Sequence, residues 1–273
     1  MAEIRERTVM VGDVSIFLRE ADPPAGALPT LYVHGNPTSS GIWTGPLALT
    51  GGLAPDLPGW GRSAKPSYID YSAEGLAAYL TALVESEGLA RFNLVVHDWG
   101  ALALAMDRAV LERVERLVII DAVPLFDSYH WHWVARVWRV PGLGELSMGF
   151  TTRRVLGLLA RRAFPNGGGT PNEFLDLVWA GFDQGTQRAI LKLYRSADPD
   201  ALAAAGARLD AITAPALVIW GKSDPFIGTE FAKRYADAVG GPAEVELVDG
   251  GHWPWLDQPD LVARIAHFLG EGG

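Results

Sequence analysis

Short apolar runs bounded by turn residues recur along the chain and predict buried β-strands. Most of the intervals between them carry apolar residues at helical spacing, as in residues 72–88 and 261–270. Strands that alternate with helices are typical of a mostly parallel sheet with helices on both faces. The predicted strands are residues 14–20, 30–35, 52–56, 93–98, 116–121, 216–221 and 243–250.

The alternation stops between about Pro124 and Asp210. This stretch is rich in Trp, Arg and Leu and has no clear strand pattern, so it predicts several helices inserted between two strands. In open α/β sheets, ligands bind beyond the carboxyl ends of the strands, and an insertion after residues 116–121 would cover that edge as a lid. We therefore predict a core formed by residues 1–123 and 211–273 and a helical lid (cap) formed by residues 124–210.

Composition and charge narrow the possible function classes. The chain has 273 residues, 49% of them hydrophobic, which favours one globular core with an elaboration. A net charge of −9 argues against nucleic-acid binding, and the absence of cysteine excludes thiol catalysis, disulfides and Cys-based metal sites. The amino terminus has no apolar signal segment, and no run approaches the roughly 18 apolar residues of a membrane span. We expect a soluble, cytoplasmic protein with no membrane partner.

The run FNLVVHDWGALALAM, residues 92–106, predicts a strand, a sharp turn and a helix, and Asp98 stands at the turn. No G-x-S-x-G pattern occurs in the chain, so serine hydrolase chemistry has no candidate. A carboxylate is ionised at pH 7 and can attack an sp³ carbon that bears a leaving group. The product is an ester, which water can hydrolyse, whereas a serine would form a stable ether. The alternative role for Asp98 is to cap the helix that follows.

Hydrolysis of such an ester needs a base, an acid that orients it, and donors for the oxyanion. His252 lies on a predicted loop between the last strand and the last helix, where the order nucleophile, acid, histidine places the base. Asp224, a few residues past a strand, is the preferred acid, and Asp121, at the end of the preceding strand, is the alternative. The backbone N–H groups of Asn36 and Trp99 are the predicted oxyanion donors.

Five motifs are spread along the chain: HGNPTSS (34–40), GWGRSAKP (59–66), HDWG (97–100), GKSDP (221–225) and GHWPW (251–255). Taken together, they resemble the α/β-hydrolase superfamily over nearly the whole chain. The resemblance is to its aspartate-nucleophile branch, the haloalkane dehalogenases and their relatives the epoxide hydrolases. It implies the α/β-hydrolase fold, a covalent Asp-ester intermediate and no metal or organic cofactor.

The resemblance also implies how the two enzyme classes would differ at the site. In dehalogenases, the Trp after the nucleophile and the Asn of H-G-N-P hold the leaving halide, and Trp99 and Asn36 match these positions. Epoxide hydrolases use two lid tyrosines that protonate the epoxide oxygen; Tyr194 resembles one of them and Tyr129 is a weaker match for the second. We rank dehalogenation first, epoxide hydrolysis second, and another α/β-hydrolase reaction or an inactive binding relative third.

The expected substrate is a small apolar organic molecule that reacts with water. Residues 101–104, which follow the elbow, are Ala and Leu, so the sequence offers no cation there for the carboxylate of a haloacid. The lid segment 129–138 contains Trp131 and two further tryptophans that are predicted to line an apolar pocket or to pack on the core. Nothing in the sequence indicates an oligomeric state.

Overall fold

The computed structural model describes residues 2–166 and 169–270. Met1, residues 167–168 and residues 271–273, which the domain prediction assigns to the core or the lid, lie outside the described residues.

The described residues form one eight-stranded sheet in the order β1-β2-β4-β3-β5-β6-β7-β8. Strand β2 pairs antiparallel with β1 and β4, and all other neighbours pair parallel. The predicted mostly parallel sheet is therefore confirmed. The strands are β1 (Arg5–Val11), β2 (Val14–Ala21), β3 (Thr30–Val33), β4 (Gly52–Pro55), β5 (Phe92–His97), β6 (Val114–Ile120), β7 (Ala216–Gly221) and β8 (Ala243–Val248).

Strand β1 is the one element of the sheet that the apolar pattern did not predict. Its sequence RERTVMV begins with charged residues, and most of its side chains are exposed or half-buried. It lies at the edge of the sheet and pairs only with β2. An edge strand in contact with solvent needs no continuous apolar run, which explains why the pattern did not reveal it.

Twelve α-helices accompany the sheet within the described part of the chain. They are α1 (Thr44–Thr50), α2 (Ala73–Ser86), α3 (Arg108–Leu111), α4 (Trp133–Arg139), α5 (Leu143–Phe150), α6 (Arg153–Ala160), α7 (Asn172–Gly181), α8 (Gln184–Ser196), α9 (Pro199–Gly206), α10 (Glu230–Ala238), α11 (Pro254–Asp257) and α12 (Pro259–Gly270).

Helices cover both faces of the sheet because successive side chains of a strand point to opposite sides. In β5, Leu94 belongs to a buried apolar cluster that includes Leu76 of α2. The next residue, Val95, belongs to a second cluster with Leu47 of α1 and Ile265 of α12. The middle of this strand is thus apolar on both faces, and its polar residues, Asn93 and His97, lie toward its two ends.

Helices α4 to α9 follow one another between β6 and β7. Tyr194 of α8 packs edge-on against Trp99, with ring centroids 5.1 Å apart, and Trp131, just before α4, stacks on Trp99 at 5.4 Å. Trp99 follows the carboxyl end of β5, so part of this insertion lies directly over that edge of the sheet.

Candidate active site

Asp98 begins a sharp turn at the carboxyl end of β5. Its φ is 50°, in the left-handed region that Asp tolerates better than most residues, and a 3-10 helix runs from Asp98 to Ala105 instead of the α-helix that the pattern indicated. Two glycines make the turn possible: a Cβ on Gly35 would lie 2.4 Å from Asp98 Oδ2, and one on Gly100 would lie 2.1 Å from the Val33 carbonyl oxygen. The carboxylate is thereby aimed above the sheet while remaining 5% exposed.

His252 lies between Asp98 and Asp224. Its Nε2 is 3.6 Å from Asp98 Oδ1, and its Nδ1 donates to Asp224 Oδ2 at 2.8 Å. The second oxygen of Asp224 accepts from the backbone N–H groups of Phe226, at 2.7 Å, and Ile227, at 3.3 Å. These bonds fix the carboxylate, which in turn fixes the imidazole so that Nε2 faces Asp98.

The charge on His252 depends on these two carboxylates. Burial disfavours the imidazolium and by itself would lower its pKa, but Asp224 and Asp98 outweigh burial and raise the pKa of His252 well above its ordinary value. The two carboxyl groups thus favour the protonated imidazole over the neutral one. If Asp98 becomes a neutral ester, one of the groups that raise this pKa disappears, and His252 becomes a better base.

The other predicted acid, Asp121, follows β6 and is fully buried with a φ of 39°. Its Oδ1 accepts from the backbone N–H of Gly221 at 2.9 Å. The bond to the imidazole thus goes to Asp224, and Asp121 lies beside that carboxylate. Both aspartates predicted as the acid thus lie at the site: Asp224 contacts the His252 imidazole, and Asp121 contacts the Gly221 backbone.

The predicted oxyanion donors lie next to the nucleophile. The backbone N–H of Asn36 donates to Asp98 Oδ2 at 2.7 Å. The side chain of Asn36 is held by Trp60, whose indole N–H donates to Asn36 Oδ1 at 3.3 Å. The Asn36 side chain also lies beside the Tyr194 hydroxyl. Trp60 belongs to the motif GWGRSAKP.

Trp99 offers a second side-chain donor. Its indole Nε1 is buried and has no hydrogen-bond partner among residues 2–166 and 169–270. The side chains of Trp99 and Asn36 both lie close enough to the Tyr194 hydroxyl to lower its pKa, but burial, and then the charge of Asp98, raise it overall. Three donors, from Asn36, Trp99 and Tyr194, therefore converge near Asp98, and the phenol stays protonated.

Two further lid candidates are already hydrogen-bonded to carbonyl oxygens. The hydroxyl of Tyr129 donates to Phe226 at 3.5 Å, and burial raises its pKa well above the ordinary value. The indole of Trp131 donates to Ala197 at 3.1 Å. Trp131 therefore supplies an apolar ring to the site, whereas the long bond of Tyr129 leaves its hydroxyl weakly held.

A cavity of about 260 Å³ opens above Asp98. None of the described residues that line it is Lys or Arg. Most of the lining residues are aromatic or aliphatic, and the polar ones are Asn36, Asp98, Tyr129, His132, Ser147, Thr151, Tyr194 and His252. The lining includes Trp131, Trp138, Val134, Leu156, Phe174, Phe182 and Phe226. Such a cavity favours an uncharged, apolar ligand.

Histidines beyond His252 support the site. His34, the first residue of the motif HGNPTSS, accepts from Leu57 N–H at 2.9 Å and donates to the Gly35 carbonyl oxygen at 2.8 Å. Sequence reasoning missed His97, whose Nε2 donates to the His252 carbonyl oxygen at 2.7 Å and so ties the catalytic loop to β5. It also missed His132 of the lid, a cavity residue for which burial lowers the pKa to about 4.

The described residues contain no group of three or more His, Cys, Asp or Glu side chains arranged to hold a metal ion. Within the same ranges, no helix is both long and apolar enough to cross a membrane.

The fold and the elbow define a class of protein. A model of the alpha/beta hydrolase family matches residues 31–265, and the chain belongs to this family. It is a hydrolase, as its relatives are.

Individual relatives narrow the comparison. The chain is 30% identical to a haloalkane dehalogenase of Bradyrhizobium diazoefficiens, over 96% of this chain and 93% of that protein. It is 27% identical to epoxide hydrolase A of Mycobacterium tuberculosis, over 97% of both chains. Among solved structures, it is similar to haloalkane dehalogenase DbeA from Bradyrhizobium elkani, with a TM-score of 0.81, 28% identity and 98% of both chains covered. The similarity to both enzyme classes agrees with the motifs.

Proposed function

We propose that this enzyme hydrolyses the carbon–halogen bond of small, uncharged haloalkanes to give an alcohol, a halide ion and a proton. One observation carries the proposal: Asn36 lines an apolar cavity together with Asp98, and the buried Trp99 indole N–H, which has no hydrogen-bond partner among the described residues, lies with the Asn36 amide beside the Tyr194 hydroxyl. A donor pair next to a nucleophile suits a departing anion, because hydrogen bonds to charged groups contribute roughly 1.5–3 kcal/mol each.

In the first step, an oxygen of Asp98 attacks the carbon that bears the halogen. The new C–O bond forms as the C–halogen bond breaks, and the electron pair leaves with the halide toward Asn36 and Trp99. The product is a neutral alkyl ester of Asp98. Loss of the carboxylate charge removes part of what keeps His252 protonated, so the imidazole can release its proton and serve as a base.

In the second step, His252 takes a proton from a water molecule, and the resulting hydroxide attacks the carboxyl carbon of the ester. In this proposal, the backbone N–H groups of Asn36, which donates to Asp98 Oδ2, and of Trp99 stabilise the oxyanion that forms. Collapse of this intermediate breaks the ester C–O bond; the leaving alkoxide takes the proton from His252 to become the alcohol, and the Asp98 carboxyl group releases the proton of the added hydroxide to return to the carboxylate. In this proposal, residues 124–210 act as the lid that excludes bulk water from the ester.

Epoxide hydrolysis is the second candidate, and Tyr194 favours it. Its hydroxyl is buried, protonated and close to the donors and to Asp98. If Asp98 attacked an epoxide carbon, this hydroxyl could donate its proton to the ring oxygen as the C–O bond broke. Tyr129, in the same cavity, is the second hydroxyl available.

Two substrates and two variants separate the candidates. Bromide release from 1-bromobutane and diol formation from styrene oxide are measured for the wild type, Asn36→Ala and Tyr194→Phe. We expect Asn36→Ala to reduce bromide release by roughly tenfold to a hundredfold, since a hydrogen bond to the leaving anion is lost. Diol formation as the dominant activity, lost in Tyr194→Phe, would support the second candidate instead.

Controls make this comparison specific. Tyr71→Phe removes a buried hydroxyl that donates to Pro66, outside the cavity lining, so it is expected to leave the ratio of the two activities unchanged. Asp98→Asn is expected to abolish both activities. If bromide release were the same in Asn36→Ala as in the wild type, the assignment of the halide site would be wrong.

A further inference from the structure

Two carboxyl groups lie side by side behind the catalytic histidine. Asp121 follows β6, Asp224 follows β7, and these strands are neighbours in the sheet. Asp121 is fully buried, and its positive φ turns it toward the β7 side, where Gly221 N–H donates to Oδ1. Its Oδ2 is buried and accepts no hydrogen bond from any described residue. Asp224 is the neighbouring charged group that acts most strongly on Asp121.

Two ionised carboxylates that lie side by side, both removed from water, would repel each other strongly. The pair is therefore expected to keep one proton. The hydrogen bonds decide which group holds it. Asp224 accepts from the His252 imidazole and from two backbone N–H groups, all of which favour its ionised form. Asp121 accepts from one backbone N–H only. The proton therefore belongs on Asp121.

We propose that Asp121 is a positioning residue, which in its neutral form donates a hydrogen bond from Oδ2 to Asp224 and so holds the triad acid against His252. The proposal rests on the role of Asp224 as triad acid in the proposed function. It gives the two acids different tasks: Asp224 carries the negative charge, and Asp121 supplies a fourth hydrogen bond to it. A neutral carboxylic acid is one of the few side chains that can donate at this position.

The ionisable groups that face Asp121 act in opposite directions. Burial, and then the charge of Asp224, raise the pKa of Asp121 well above its ordinary value, while the nearby His252 cation and the Gly221 N–H lower it. Because the pKa is raised, Asp121 keeps its proton to a higher pH than an ordinary carboxyl group does, and it loses this proton as the pH rises further.

Infrared difference spectroscopy tests the protonation state without any substrate. The spectrum of Asp121→Asn is subtracted from that of the wild type at pH 7, and a band of a protonated carboxyl group is expected in the difference. That band should disappear as the pH is raised. A carboxylate band in its place at pH 7 would overturn the proposal. This readout does not depend on which substrate the enzyme hydrolyses, so failure of the proposed function would leave it intact.

Kinetics of three variants test the positioning role. In Asp121→Asn the amide can donate to Asp224 and accept from Gly221, so the hydrolytic rate should stay close to that of the wild type. Asp121→Leu has similar bulk but no donor, and we expect a decrease of roughly tenfold to a hundredfold, as for loss of a hydrogen bond to a charged group. Asp224→Asn should lose roughly 10⁴-fold, since the imidazole loses its anionic partner.

Two outcomes would contradict the positioning role. If Asp121→Asn lost as much activity as Asp224→Asn, Asp121 would be needed as an anion. If Asp224→Asn kept substantial activity that the double variant with Asp121→Asn lost, Asp121 would be a substitute triad acid. Should Asp121→Leu fail to fold, Asp121→Asn and the infrared band still decide between a neutral and an ionised group.

Discussion

At the scale of single residues, the nucleophile is placed by what is missing around it. Asp98 can occupy a left-handed turn above the sheet because Gly35 has no side chain: a Cβ there would lie 2.4 Å from both Cβ and Oδ2 of Asp98 and 2.7 Å from the Trp99 nitrogen. These contacts involve the proposed nucleophile and one of the predicted oxyanion donors. If Asp98 has this role, the chemistry as well as the turn requires a glycine at this position.

We expect Gly35→Ala to fold but to lose roughly a hundredfold or more in hydrolytic rate, because displacing a reacting group by about 1 Å has effects of this size. The matched control is Gly149→Ala on α5, where a Cβ meets nothing within 4 Å. It should keep full activity and gain up to about 1 kcal/mol of stability from helix propensity. Rates and urea unfolding curves check both variants; full activity in Gly35→Ala would contradict this account of the elbow.

At the same scale, site residues could be predicted from the sequence where their neighbours in the chain form a recognisable pattern. Residues whose roles depend on contacts with distant parts of the chain could not. Asp98 could be recognised because a strand, a turn and small neighbours surround it within a few positions. The choice between Asp121 and Asp224 depends on loops that follow two adjacent parallel strands, which the sequence does not orient. The bond from Trp60 to Asn36 joins positions 24 residues apart and has no pattern of its own.

At the scale of elements, helices α4 and α8 are joined at the end of α8. Arg139 of α4 donates to the carbonyl oxygens of Tyr194 and Ala197, and the Trp131 indole also donates to Ala197. These carbonyl groups lie at the carboxyl end of a helix, where no further backbone N–H can satisfy them and where a cation is favourable. The cluster holds Tyr194 in its place against Trp99.

We predict that Arg139→Met loosens this end of α8. Amide hydrogen exchange should become faster in residues 184–206 and remain unchanged in β5 and β6, because the lost bonds lie entirely between the inserted helices. Hydrogen bonds from a charged donor contribute roughly 1.5–3 kcal/mol, which sets the expected local effect. Arg136→Met, a change at an exposed position of the same helix, is the control. Equal exchange in both variants would show that Arg139 does not hold the two helices together.

The pattern of apolar residues predicted the buried strands of the core better than the edge strand and the inserted helices. Strands such as β5 and β7 are buried along their whole length and therefore read as continuous apolar runs. Strand β1 begins with three charged residues and lies at the solvent edge, so its pairing with β2 determines it. The individual helices between β6 and β7 were not separable in the sequence, since their boundaries depend on caps and turns in a stretch without alternating strands.

At the scale of the whole molecule, a sheet that is apolar on both faces carries its reactive groups only at one edge. The turns after β3, β5, β6 and β7 and the loop after β8 bring Asn36, Asp98, Asp121, Asp224 and His252 to that edge. The inserted helices cover this edge with aromatic rings, so the ionisable side chains there face an apolar cavity rather than bulk water. In that setting a permanent carboxylate and a few fixed donors are strong electrostatic groups.

The central claim is that Asp98 becomes covalently attached to the substrate. His252→Gln is the variant for this test, because attack by Asp98 needs no base whereas hydrolysis of the ester does. The variant is mixed with excess 1-bromobutane, digested and analysed by mass spectrometry. The prediction is a butyl group on the peptide that contains Asp98, with no such adduct in Asp98→Asn/His252→Gln. Bromide release by the wild type, without any adduct at Asp98 in His252→Gln, would contradict the account.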